Sequence, residues 1–252
     1  MTGRIRQALP VLAVAAVFFG AWKLVVVVGD YPPFILPAPE VVGQRLLRAV
    51  VDGTLAPHAA ATLSEVILGF VVGATGALLV GYLLARSALA ERLLSPYLVA
   101  AQATPILALA PLIALWLGTG LLSKVVICAL IVFFPVAVAT MVGIRSADGR
   151  LLELGRSLRA SRWQVFRHLE LPQALPAILG GMRVGVTLAV IGAIVAEWVG
   201  AERGLGHLIT LARGSLFDIP LMFATLVTIA LIGLALYVTV VLVERRLIGP
   251  WR

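Results

Sequence analysis

Six stretches of this chain are apolar for long enough to cross a lipid bilayer as helices, and nothing else constrains its fold as strongly. A hydrocarbon core takes about 20 residues of α-helix. The runs at about 8–29, 61–86, 94–117, 122–144, 174–199 and 219–245 meet that length. Composition agrees: 61% of residues are hydrophobic, 13% are charged and mean hydropathy is +1.07, whereas soluble domains carry roughly a quarter charged residues. The expected fold is all-α, a polytopic membrane protein of about six transmembrane helices. Six spans with their loops use nearly all of the 252 residues, so 1–252 reads as a single transmembrane domain.

The formal charge of +8 raises the question of a nucleic-acid partner, and its distribution answers it. With a cytoplasmic N-terminus, the inner ends and loops hold Arg4, Arg6, Arg86, Arg92, Arg145, Arg150, Arg156, Arg159, Arg162, Arg167, Arg245, Arg246 and Arg252. The outer loops hold only Arg45, Arg48, Lys124, Arg203 and Arg213, while Lys23 and Arg183 fall within spans. That asymmetry follows the positive-inside rule and predicts that both termini are cytoplasmic. The expected surroundings are membrane lipid, with no nucleic acid.

Arg4 and Arg6 ahead of "VLAVAAVFFGAW" resemble a signal peptide, but the apolar run resumes after Lys23 as "LVVVVG" without a clear small-residue cleavage site. An uncleaved first span is expected. The single cysteine, Cys128, excludes an intrachain disulfide and reads as a core residue. His58, His168 and His207 are expected in separate loops without ligand spacing, so no metal site is expected.

Between the first two runs, "GDYPPFILPAPE" reads as an extended connector. The following "PEVVGQRLLRAVVDG" sets Val41, Val42, Leu46, Leu47, Val50 and Val51 at helical spacing, predicting a short amphipathic helix along the membrane surface. The second run repeats a small residue at every fourth position: Gly69, Gly73, Ala77, Gly81 and Ala85. The fifth does the same with Gly181, Gly185, Ala189 and Ala193. Such stripes let helix backbones approach closely in lipid, so both helices are expected inside a packed bundle. The third run is interrupted by Pro105 and Pro111, with Gln102 and Thr104 just before the first. A freed carbonyl is tolerated in a membrane where it is buried or lines a cavity. The polar pair is therefore a candidate substrate-path element, and a structural kink is the alternative.

The most polar long stretch, "ELGRSLRASRWQVFRHLELPQALP", lies in the longest expected cytoplasmic loop, about 145–173. Leu151, Leu154 and Leu158 keep helical spacing, and "SRWQ" fits a capping box in which Ser161 and Gln164 serve each other's backbone amides. Trp163, Phe166 and Leu169 offer an apolar face, and Leu171-Pro172 is expected to end the element. Two short helices presenting aromatic, aliphatic and arginine side chains suit a docking surface. A helix lying on anionic lipid has a similar pattern.

This segment resembles the EAA loop of bacterial ABC importer permeases, with Glu153 at the Glu position, Leu171-Pro172 at the terminal pair and "ASRWQVFRHLELP" matching the second half. It departs where the family's second and third residues are "LG" and where the family's glycine is Arg159, with a glycine four residues earlier at Gly155. "PPFILPAPEVV", "QATPILALAPLIALWLGTG", "FFPVAVATMVGIRSAD" and "EWVGAERGLGHLI" extend the resemblance over nearly the whole chain, toward the branch for nitrate, sulfonates, taurine, riboflavin and thiamine-precursor pyrimidines. "IVAEWVGAERGLGHLI" and "ERRLIGPW" look most like the riboflavin and thiamine-precursor members.

The resemblance implies a type I importer permease fold in a bacterial inner membrane. It also implies that the chain works with a second permease copy as a homodimer, with two cytoplasmic ATP-binding subunits and an extracytoplasmic solute-binding protein. It assigns ATPase coupling to Glu153, Gly155, Arg159, Ser161, Trp163, Phe166, Leu171 and Pro172. No Gly-Lys dipeptide occurs, hence no phosphate loop, so the chain is expected to be no enzyme and to hold no cofactor, with ATP and Mg used by its partner. Candidates for the substrate path are Gln102, Thr104, Thr187, Glu197 and Trp198. An ionisable group near a span is a functional candidate, and Trp198 offers a stacking surface. Alternatively Trp198 belongs to an interfacial aromatic belt with Trp116, and Glu197 is solvated or pairs with an Arg. An ion-coupled secondary carrier is the rival class, although no internal repeat is visible and ionisable groups cluster at span ends.

Overall fold

A computed structural model describes residues 2–103 and 106–248. Among them the elements are helical: α1 (Thr2–Val28), α2 (Pro39–Val51), α3 (Leu55–Arg86), α4 (Ala88–Ala103), α5 (Ile106–Leu117), α6 (Leu121–Arg145), α7 (Gly149–Ser157), α8 (Arg162–Val165), α9 (Leu171–Val199), α10 (Leu205–Arg213) and α11 (Ile219–Ile248). Among the described residues four stretches are helices long and apolar enough to cross a bilayer: Leu55–Arg86, Leu121–Arg145, Arg162–Val199 and Ile219–Ile248. The first expected span corresponds to α1. The third corresponds to α4 and α5 together, and Thr104 and Pro105 lie outside the described residues. Pro111 does not interrupt the run as expected; it sits inside α5, which packs on α6 and α9. Neighbouring helices make a lost backbone bond tolerable at such a site.

The core is a three-helix sandwich with α6 in the middle. Both small-residue stripes face it, because only there must backbones meet. A methyl group on Gly69 would overlap Cys128 Cβ, one on Gly73 would stand 2.5 Å from Ala129 O, and one on Gly81 2.5 Å from Ala137 O. On the other side, a methyl on Gly181 would overlap Ala139 Cβ, and one on Gly192 would come within 2.9 Å of Ile131 Cδ1. Val66, Ala77, Cys128, Val132, Val136, Ala189 and Ala193 fill the seam.

The amphipathic helix α2 packs Val42 and Ala49 inward and joins α10 and α11 through a cluster containing Leu55, Leu205, Leu208 and Leu221. Arg45 Nε donates to Asp218 Oδ2 at 2.7 Å, and Asp218 also accepts from the Leu221 amide at the start of α11. This end of the bundle is therefore tied by charge as well as by apolar contact.

Candidate functional site

At the opposite end, α7 and α8 form an arm that projects from the bundle and leads into α9. The capping box predicted from "SRWQ" is present: Ser161 Oγ accepts from Gln164 N at 3.3 Å, and Gln164 Oε1 accepts from Ser161 N at 2.8 Å. Leu171-Pro172 does not end the element, contrary to expectation. The chain passes from α8 through a π-helical turn, Phe166–Glu170, directly into α9. There the Leu171 amide reaches back five residues to Phe166 O. The widened turn makes room for the ring of Pro172, which supplies no amide and would otherwise crowd the preceding carbonyls.

Arg159 stands in left-handed backbone, φ 56°. It follows the last turn of α7, where the Ala160 amide donates to Gly155 O at 2.9 Å. That six-to-one bond with a left-handed residue inside it is a Schellman ending, the geometry that glycine fits best. The turn is thus formed with arginine in the position that calls for glycine. Gly155 is buried where α7 crosses the second half of the arm; a Cβ there would sit 3.1 Å from Leu169 Cδ1 and 3.5 Å from Val165 Cγ2.

The three aromatic and aliphatic residues expected to share an outward face part company. Leu169 packs under Gly155. Phe166 meets Tyr82 of α3 edge-on, with ring centroids 5.3 Å apart. Trp163 stays 63% exposed, alongside Leu154 at 55% and Leu158 at 73%. Glu153 and Ser161 are exposed too, whereas Leu171 and Pro172 are partly buried in the base of the arm. The coupling residues predicted from sequence therefore divide: Glu153, Arg159, Ser161 and Trp163 are exposed, Gly155 is buried, and Phe166, Leu171 and Pro172 are partly buried at the hinge.

Sequence reasoning missed what holds that hinge. Glu170 is buried, and its Oε2 accepts from Arg86 Nη2 at 2.5 Å. Arg86 also donates from Nε to Tyr82 Oη at 3.2 Å and lies 5.3 Å from the Tyr82 ring centroid. Nearby, Arg145 donates to both oxygens of Glu91 and to Leu84 O. Its hydrogen bonds hold the Glu91 carboxyl below the usual carboxylate range. The i, i+4 spacing of Tyr82 and Arg86, matched by that of Phe166 and Glu170, was the available signal.

The substrate-path candidates are not gathered in one place. Thr187 and Trp198 share an exposed stripe of α9 with Val184 and Ile191. Their spacing keeps them within one narrow arc of a helix whose other faces are packed. Gln102 lies in α4, and Thr104 lies outside the described residues. Glu197, adjacent to Trp198, points the other way and is 1% exposed. Its Oε1 accepts from Thr62 Oγ1 at 2.6 Å and its Oε2 accepts from the Gly206 amide. Thr62 Oγ1 in turn accepts from the Leu205 amide at 2.8 Å. The carboxylate thus seats the first turn of α10, where free amides and the helix dipole favour an anion. Gly204 permits this with φ 125°, and any side chain there would overlap the carboxyl group.

Glu65 adjoins this cluster and pairs with Lys124 at 3.0 Å, both buried. The histidines are not in separate loops as expected. His58 is in α3 and His207 in α10, with rings stacked 6.1 Å apart, while His168 lies in the π turn. Arg183 donates to Glu244 Oε1 at 3.1 Å, joining α9 to α11.

The family described as "binding-protein-dependent transport system inner membrane component" matches residues 77–249. The chain is 47% identical over 240 residues to the riboflavin transport system permease protein of Chloroflexus aurantiacus, covering 95% of this chain and 88% of that one. It is 35% identical over 220 residues to the formylaminopyrimidine transport permease protein of Halalkalibacterium halodurans, covering 87% of each. Among solved structures, an inward-facing methionine ABC transporter shares the fold at TM-score 0.66 and 20% identity, covering 75% of this chain and 94% of that one. With an arm and packed bundle of this design and matches over most of its length, the chain belongs to the binding-protein-dependent transport system inner membrane component family, the permease subunits of ABC importers.

Proposed function

We propose that this chain works as an identical pair that imports riboflavin or a thiamine-precursor pyrimidine, driven by two cytoplasmic ATP-binding subunits docked on its α7–α8 arms. The observation that carries the docking role is the arm itself. It exposes Leu154, Leu158 and Trp163 at its tip, beside Glu153 and Arg162, on a base fixed by Ser161, Gly155 and the π turn. A rigid apolar tip rimmed by charge is what a protein groove recognises. On this reading the arm and both termini are cytoplasmic, in line with the excess of arginine at that side, and 1–252 acts as one transmembrane unit. ATP and Mg are used by the partner subunits. A solute-binding protein delivers substrate at the opposite face.

The substrate reading is supported by the 47% identity to a riboflavin permease and by the chemistry of α9. Its open stripe offers Thr187 as a hydroxyl and Trp198 as a flat aromatic surface suited to a planar heterocycle. On this reading the stripe faces the second copy and lines the path between them, with Gln102 and Thr104 as further candidates for that path. Access then alternates because ATP binding favours one state of the pair over the other.

The test is reconstitution in liposomes with the ATP-binding subunit and the solute-binding protein. Uptake of labelled riboflavin should require ATP and be competed by unlabelled riboflavin, with taurine without effect; competition by a pyrimidine alone would shift the substrate within the proposed pair. Trp163→Ala should weaken co-purification of the ATPase about 30-fold, the loss of an interface anchor worth about 2 kcal/mol. Unchanged binding and uptake with both Trp163→Ala and Glu153→Ala would overturn the docking role.

A further inference from the structure

We propose that the pairs Phe166–Tyr82 and Glu170–Arg86 form a two-rung clamp that makes the arm and α3 move as one body, and that this clamp converts arm movement into transport. The inference rests on the proposed docking of an ATPase on the arm and names the residues that carry its motion inward.

The geometry is specific. Phe166 and Glu170 stand at the two ends of the π turn, and Tyr82 and Arg86 stand one helical turn apart at the end of α3. The aromatic rung has centroids 5.3 Å apart and the ionic rung closes at 2.5 Å. Arg86 is further fixed by Tyr82, through the hydroxyl and the ring face, so the two rungs brace each other. Trp163, at the exposed tip, touches the first rung through Phe166, with centroids 5.6 Å apart. A continuous chain of contacts therefore runs from the docking surface to α3.

Around the clamp the protein is open. A cavity of about 520 Å³ lined by Leu78, Tyr82, Thr140, Trp163 and Phe166 lies to one side, and one of about 610 Å³ lined by Arg86, Leu152, Ala160 and Glu170 to the other. Between arm and α3, force passes through these side chains and through the small apolar cluster in which Phe166 packs with Leu78 and Ala85 of α3. Beyond them α3 is locked to α6 by the methyl-free contacts at Gly73 and Gly81, so a displaced α3 end moves packed core. Among the described residues Arg86 is the cationic partner of the buried Glu170 carboxylate, so separating the pair strands a charge.

Arg86→Met and Glu170→Gln test this in the reconstituted transporter, with Arg86→Lys as the variant that keeps the charge. ATPase should still co-purify and hydrolyse ATP, while substrate moved per ATP falls about tenfold in the first two, within the range single contacts exert on coupling between sites. Arg86→Lys should recover most of it. Unchanged transport per ATP in both Arg86→Met and Glu170→Gln would overturn the clamp while leaving the docking role intact; failure of the wild type to bind ATPase would instead overturn the docking role.

A second measurement holds if those variants insert poorly. Tyr82→Cys with Phe166→Cys, joined by a short bis-maleimide, ties arm to α3; Cys128 is buried and does not compete. The double-cysteine protein lacks the aromatic rung, so its transport per ATP should be low before cross-linking and recover after it; no recovery would overturn the proposal. Further loss of transport on cross-linking would mean that the arm must move relative to α3, and would overturn it too.

Discussion

Lys124 Nζ lies 3.0 Å from Glu65 Oε1, with the two side chains 9% and 3% exposed. Charges this deep in an apolar bundle are costly unless paired, and removing one partner strands the other. Lys124→Met should therefore destabilise the folded protein by about 3 kcal/mol or more. Adding Glu65→Gln to it should recover most of that loss, because the stranded charge is gone. Thermal unfolding in detergent of the two single variants and the double variant measures the coupling, and simple additivity would refute it.

Glu197 supports a second expectation. Its carboxyl group serves Thr62 and the Gly206 amide, so Glu197→Ala leaves the buried Gly206 amide unpaired at about 1–3 kcal/mol, while the Thr62 hydroxyl keeps His58 O at 3.2 Å as acceptor. The damage should be local: amides of α10 exchange faster while those of α6 do not. Gly204→Ala should give the same signature by overlap with the carboxyl group and by strain at φ 125°. Loss of riboflavin affinity with α10 exchange unchanged would instead assign Glu197 to the substrate path.

These two clusters mark the boundary of what sequence could reveal. The apolar runs, the two small-residue stripes and the "SRWQ" cap were legible because each follows a local period or spacing that burial in lipid enforces. Glu197 reads from sequence as a substrate-path candidate because hydropathy locates a residue along a span but gives no direction around the helix. Its true surroundings come from the backbone folding back at Gly204 and Gly206, nine residues on at the latter. Lys124 and Glu65 come from different helices, with no local pattern to pair them. Leu171-Pro172 read as a stop because proline usually is one; a π turn leaves no mark in composition.

The α3 stripe predicts a contrast between two glycines three residues apart. A methyl at Gly73 would stand 2.5 Å from a backbone oxygen, which cannot rotate away, whereas one at Gly76 meets only the Phe133 ring edge at 3.8 Å. Gly73→Ala should cost about 1–3 kcal/mol through overpacking. Gly76→Ala should be neutral or stabilise by up to about 1 kcal/mol, since alanine favours helix. Comparing melting in detergent decides it, and equal effects would mean that α3 does not approach α6 this closely.

Arg159 offers the last expectation. Left-handed backbone costs a non-glycine residue roughly 1–2 kcal/mol, and Arg159 holds φ 56° at the end of α7. Arg159→Gly removes that strain while giving back part of it as unfolded-state freedom. The net gain of about 1 kcal/mol should slow hydrogen exchange at the Ala160 amide, which bonds Gly155 O, by about fivefold. ATPase co-purification should persist, because the exposed tip at Leu154, Leu158 and Trp163 is untouched. If exchange slows but ATPase binding drops, the guanidinium is itself part of the docking surface, and arginine holds a strained position in exchange for that contact.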